Sequence, residues 1–155
     1  MLTEEEMDAL QLHPLRQHGL THQAGYDPIP SGIKTIILKV IADDAVLIAE
    51  DGKAYITIPV ELNGSVLETI GAHVYTVSSS GNPTFQIHNK TDAVDMLSTP
   101  ITIDVNELDS KDAATPPVIN RAADDVATGD EIRIDCDVAG TGTKGLEVRL
   151  GFRLP

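Results

Sequence analysis

Asp135 and Asp137 flank Cys136 within Glu131 to Val138, a run that alternates apolar and polar residues, so their carboxylates project to the same side of a strand. Two such groups could help to hold a calcium ion, which takes about six to eight oxygens. The sequence has no loop of dense, regularly spaced oxygen ligands of the EF-hand kind. A solvated outer face is therefore expected, with Arg133 as a neighbour on the same side. Asp124, Asp125 and Asp130 form a second acidic patch in a loop, where carboxylates commonly stay hydrated or cap backbone amides.

His13, His18 and His22 could collect a metal through three imidazoles. Pro14 and Gly19 break any single helical face that would gather them, so contact with a partner surface is the expected use of this strip. His73 and His88 fall in strand-like runs, and serines cluster at Ser78, Ser79 and Ser80. No G-x-S-x-G turn is present to present a nucleophile, and Ser78–Gly81 reads as a flexible loop. Gly140–Gly145 (GTGTKG) lacks the spacing of a phosphate loop and lies between strands, which excludes nucleotide binding and reads as a glycine-rich hairpin. Cys136 is the single cysteine, so neither an intrachain disulfide nor a cysteine-rich zinc site is available. It shares the apolar phase with Ile132, Ile134 and Val138, as a small buried thiol does. No catalytic group, cofactor or metal is expected.

A length of 155 residues with 41% hydrophobic content suits one domain and one core. Aromatic residues make up 3%, so that core must be built from Val, Ile, Leu and Ala. The net charge of -13 opposes binding to a phosphate backbone and suits solubility at high local concentration. No apolar stretch approaches the roughly 20 residues that span a bilayer. Glu4, Glu5 and Glu6 stand where a secretory signal would be basic, which predicts synthesis in the cytoplasm.

Thr3 and Glu6 match a capping box that predicts a short helix over about 4–11, stopped by His13-Pro14. Residues 1–32 hold too little apolar material to fold alone and read as an arm. Residues 33–155 punctuate like an all-β domain. Ile33–Ile41 and Ala45–Ala49 are expected as strands, and Asp51-Gly52 as a hairpin turn before Tyr55–Val60. Val66–Val77 is expected as a long strand in which Gly71 marks a bulge or a bend between sheets, and Thr84–Asn89 as a strand with Phe85 and Ile87 on one face. Ile101, Ile103 and Val105 form a further apolar face. Glu131–Val138 and Leu146–Phe152 are expected as a closing hairpin. Their alternation assigns Ile132, Ile134, Cys136, Val138, Leu146, Val148, Leu150 and Phe152 to the core and Arg133, Asp135, Asp137 and Arg149 to the surface. The pattern predicts a two-sheet antiparallel sandwich, with jelly-roll and immunoglobulin-like orders both open.

Ile58–Gly64 (IPVELNG), Val74–Gly81 (VYTVSSSG), Asn89–Ser98 (NKTDAVDMLS), Ile101–Asp104 (ITID) and Ala127–Ile132 (ATGDEI) together resemble a structural module of tailed-phage virion proteins, over about residues 55–152. The resemblance implies a virion β-sandwich attached to head or tail through a separate N-terminal region. The short arm, without coiled coil or shaft repeat, favours a compact head protein. The expectation is a non-enzymatic capsid decoration or cement protein, on the capsid surface as a homotrimer. Its partners would be the major capsid protein and its own copies, with neither nucleic acid nor membrane. The arm residues expected to make those contacts are Leu10, Leu12, Leu15, Leu20 and Tyr26. A host-recognition or adhesion module of a tail fibre or tail tip is the alternative.

Overall fold

A computed structural model describes residues 32–154. The expected helix over about 4–11, the three arm histidines and all five expected arm contacts lie outside the described residues. The strands are β1 (Ile33–Val46), β2 (Glu50–Thr57), β3 (Ser65–His73), β4 (Thr84–Asn89), β5 (Val94–Asp95), β6 (Leu97–Thr99), β7 (Ile101–Thr102), β8 (Val118–Ile119), β9 (Asp125–Val126), β10 (Glu131–Val138) and β11 (Lys144–Arg153). Single 3-10 turns occupy Val60–Leu62 and Ser110–Asp112. The described residues are thus all-β, as the alternating runs predict.

One sheet has the order β1-β11-β3-β9 and a second β2-β10-β4-β5, with β7 also pairing with β4; β6 and β8 form a separate ribbon. Every paired strand is antiparallel to its neighbour. The links β1 to β2, β2 to β3, β3 to β4, β9 to β10 and β10 to β11 all change sheet. Strands joined by these links therefore lie in different sheets instead of pairing with each other, whereas β4 and β5 are sequence neighbours that do pair. Phe85, Ile87, Ile132 and Ile134 from one sheet and Leu67, Val148, Leu150 and Phe152 from the other are fully buried in a single cluster. Alternation of inward apolar residues along each strand produces that shared interior.

This topology corrects several expectations. β10 and β11 are the central strands of different sheets, so no closing hairpin exists; Ala139–Thr143 is an arch between them. Seven of the eight core assignments hold, but Val138 is 44% exposed because it sits where β10 leaves its sheet for the arch. Ile33–Ile41 and Ala45–Ala49 are not two strands: β1 runs unbroken to Val46, absorbing extra residues as bulges against β11. Asp51-Gly52 makes no turn either. It bulges within β2, where Ala54 pairs with Ile134 and Glu50 with Cys136, so four steps of one strand lie beside two of the other. In β3 the irregularity falls at Glu68, between the pairs Leu67–Phe152 and Thr69–Gly151, and not at Gly71.

The arch is held by Ser78. Its hydroxyl lies 2.6 Å from the Gly81 carbonyl and 2.8 Å from that of Ser80, and accepts the Thr141 amide at 3.0 Å. The Ser79 amide donates to the Thr141 carbonyl and the Thr141 amide to the Ser80 carbonyl, each at 2.9 Å. Ser78–Gly81 is consequently a pinned loop, with Ser78 fully buried, and not the free one expected. Gly140 has φ +70, and a Cβ there would stand 2.3 Å from Ser78 Oγ and 2.8 Å from the Gly81 carbonyl, so no other residue fits. Gly142 has φ +78 but open space around it. Gly142→Ala is expected to cost about 1–2 kcal/mol from the left-handed conformation alone. Gly140→Ala should cost clearly more, because the clash adds to the same backbone penalty. Urea unfolding of the two variants tests the arch, and equal losses would count against it.

Candidate interaction surfaces

The outer face of β1, β11 and β3 carries a connected polar network. Arg149 Nη2 lies 2.9 Å from both carboxylate oxygens of Asp109, whose Oδ1 also accepts the Lys111 amide and whose Oδ2 lies 3.2 Å from His73 Nδ1. Gly71 makes this possible: a Cβ there would stand 2.9 Å from the Arg149 guanidinium, which instead crosses β3. Burial pulls the Asp109 carboxyl up. The hydrogen bonds from Arg149, the Lys111 amide and His73, with the nearby guanidinium charge, outweigh it and hold the group below its ordinary value. Beside this lie Lys39 over the Tyr75 ring at 3.5 Å, and the Tyr75 hydroxyl donating to Glu147 at 3.2 Å. Farther along, Glu68 bridges Arg121 and Arg153, and Arg121 also pairs with Asp124 at 3.0 Å.

The outer face of β2, β10, β4 and β5 is built similarly, with more carboxylates. Asp135 is 3% exposed, against the expectation of a solvated group. The alternation places it on the outer side correctly, but that side is covered there. Arg133 Nη2 donates to its Oδ2 at 2.8 Å, and the Gly52 amide on the bulge of β2 donates to its Oδ1 at 2.7 Å. Arg133 Nε, 2.7 Å from Oδ1, is too poorly aligned to count as a hydrogen bond. His88 Nδ1 contacts Asp95 at 2.6 Å, and Lys90 pairs with Glu131 at 2.6 Å while lying 5.4 Å from the Tyr55 ring. Asp137 is exposed beside these groups. Partial burial, then the charges of Asp135, Asp51 and Asp95, raise its carboxyl above the usual range.

The structure separates the residues that the sequence groups. Of Asp124, Asp125 and Asp130, the first pairs with Arg121 and the second is exposed, while Asp130 accepts the Ala127 amide at 2.9 Å and Asn89 Nδ2 at 3.2 Å. Asn89 is 1% exposed; its Oδ1 takes the amides of Thr91 and Asp92, and its Nδ2 reaches Asp92 as well. One buried amide therefore ties the turn after β4 to the turn before β10. Among the described residues no group of three or more His, Cys, Asp and Glu side chains is arranged to hold a metal. His73 and His88 lie on opposite outer faces, each engaged with an aspartate, and neither meets a serine hydroxyl. Cys136 is buried as expected, and burial pushes its thiol up to about 11. No family model, curated protein or solved structure matches this chain.

Two outcomes follow from these environments. In the folded protein at pH 8, Cys136 should react with an exposed-thiol reagent at least about a hundredfold more slowly than in urea, since both thiolate fraction and access are reduced. A comparable rate would place the thiol at the surface. For Asp137 the folded value lies above the unfolded one near 3.8, so the native state binds the proton more tightly and ionisation lowers stability as pH rises past that value. Asp137→Asn should therefore stabilise at pH 7 by a few tenths of a kcal/mol, an exposed-site magnitude. The gain should vanish near pH 3, and denaturant midpoints at the two pH values measure it.

Proposed function

We propose that residues 33–155 form a jelly-roll sandwich and that the protein is a non-enzymatic virion component of a tailed phage. In this reading it is a capsid decoration or cement protein on the head surface. The observation carrying the fold part is the strand order, β1-β11-β3-β9 over β2-β10-β4-β5, in which successive long strands alternate between sheets. Two interleaved Greek keys give that order, and viral capsid proteins are frequent users of it. A fold alone does not carry a function. The functional part draws on the resemblance of the five motifs alone; within the fold, three of them supply residues with structural roles. VYTVSSSG supplies Ser78, which pins the arch, and NKTDAVDMLS supplies Asn89, which ties two turns together with Asp130 of ATGDEI.

The reading has the protein bind the major capsid protein as a homotrimer, with residues 1–32 reaching across neighbouring subunits through Leu10, Leu12, Leu15, Leu20 and Tyr26. Binding only the assembled shell stabilises that state by mass action. A second reading, a host-recognition module of a tail fibre or tail tip, draws on Tyr55. This ring is 54% exposed on the outer face of β2 near Arg133 and Lys90, an apolar surface with a polar tip amid hydrogen-bonding groups.

Removal of residues 1–25 tests the assignment. The truncated protein should keep a cooperative melt but lose occupancy on capsids in a sedimentation assay by at least about tenfold. Undiminished occupancy would remove the arm from the reading. Specific binding of the intact chain to host cells instead of capsids would favour the second reading.

A further inference from the structure

We propose that Asn63 is a site of spontaneous covalent modification, converting to aspartate with release of ammonia, and that the pairing of β9 with β3 keeps it closed in the native protein. Asn63 and Gly64 are both exposed, between the 3-10 turn at Val60–Leu62 and β3. Asn63 is the one asparagine of five that precedes a glycine; Asn82, Asn89, Asn106 and Asn120 precede Pro83, Lys90, Glu107 and Arg121. A glycine carries no side chain to shield its amide nitrogen. Once that amide loses its proton to hydroxide, the Gly64 nitrogen bonds to Cγ of Asn63. The Cγ–Nδ2 bond breaks, ammonia leaves after taking a proton from water, and a cyclic imide remains. One water then adds to either imide carbonyl and opens the ring to aspartate or to isoaspartate. The net exchange is one water for one ammonia, with no change of oxidation state.

The fold opposes the first step in three ways. A ψ of 125 at Asn63 turns the Gly64 nitrogen away from the Asn63 Cβ, whereas ring closure brings the two into line. The Gly64 amide donates to the Val126 carbonyl at 2.8 Å, so its proton is engaged. Oδ1 of Asn63 accepts the Thr128 amide at 3.0 Å and the Thr128 hydroxyl at 3.2 Å, which holds the side chain toward the segment that follows β9. These hydrogen bonds are released together when β9 leaves β3, and ψ is then free to rotate. The pairing to be broken is short, Ser65 with Val126 and Val66 with Asp125, extended by the Leu67 amide on the Asp124 carbonyl, and β9 ends its sheet. Short edge elements open at a fraction of the global free energy of unfolding. The two products differ in fit. Aspartate keeps an oxygen for both Thr128 donors, whereas isoaspartate adds a main-chain carbon ahead of Gly64 and displaces its amide from Val126.

Ageing of the full chain at pH 8, followed by digestion and mass spectrometry, tests the site and its gate separately. In urea, Asn63 is expected to show the mass change of the water-for-ammonia exchange before any other asparagine, and a different asparagine converting first sinks the site. In the native protein the same conversion is expected at least about tenfold more slowly, since only the locally open fraction reacts. Equal rates in the two states would overturn the gate. Thr128→Val removes the hydroxyl donor and should speed native conversion roughly fivefold. Thr128→Ser keeps that donor and should stay near the original rate, with circular dichroism to confirm that both variants fold. An unchanged rate in Thr128→Val, or one as fast in Thr128→Ser, removes the Thr128 hydroxyl from the gate.

Discussion

The arch at Ala139–Thr143 carries the chain from the centre of one sheet to the centre of the other, and the remaining topology is arranged around that crossing. β10 is flanked by β2 and β4, and β11 by β1 and β3, so the two strands that the arch joins are each an inner strand of its own sheet. The arch has little room for error. Gly140 must take a left-handed conformation against the Ser78 hydroxyl, and the Thr141 amide and carbonyl are both used by the Ser78–Ser80 segment. The loop that receives the arch leads into β4, a direct neighbour of β10. Crossing and pairing are thus fixed at one end by the same few hydrogen bonds.

At the opposite side of these strands a comparable device uses Asn89. Its buried amide satisfies two backbone groups and two carboxylates, joining the turn after β4 to the segment that enters β10. Buried polar groups of this kind contribute by being fully paired, since an orphaned amide there would cost on the order of 1–3 kcal/mol. The outer faces follow the same economy. Arg133 serves the buried Asp135 and Arg121 the buried Asp124, while the buried Asp130 is held by Asn89 and the Ala127 amide.

Much of the interior was legible because a period of two survives in the longer strands. Phe85 and Ile87 in β4, Ile132 and Ile134 in β10, and Leu146 to Phe152 in β11 are buried as their spacing predicts. Strand pairing was not legible, because a glycine-rich link between two alternating runs suits a hairpin and an inter-sheet arch equally well. The same ambiguity misplaces Asp51-Gly52: a glycine at positive φ is required by a hairpin turn and by this bulge alike. Asp135 shows the limit of the in-or-out rule. Its phase is outward, but the bulged β2 amide and Arg133 close over it; Arg133, on the same side of the same strand, was legible as a neighbour, whereas the Gly52 amide, far away in the chain, was not. Strands of two or three residues, β5 to β9, are too short to display any period.

What remains after these interactions are satisfied is an uneven surface. Charged groups on the two outer faces are largely spent on each other, and the short edges at β9 and β5 offer little backbone to pair with. The flank of β1 and β2 combines exposed isoleucines with long edges that have no second strand partner among the described residues, and its charges too are paired within the chain, Lys39 with Asp43, Glu50 with Lys53 and Asp51 with Arg133. An isolated domain gains nothing from that combination, since exposed apolar edge strands promote indiscriminate association.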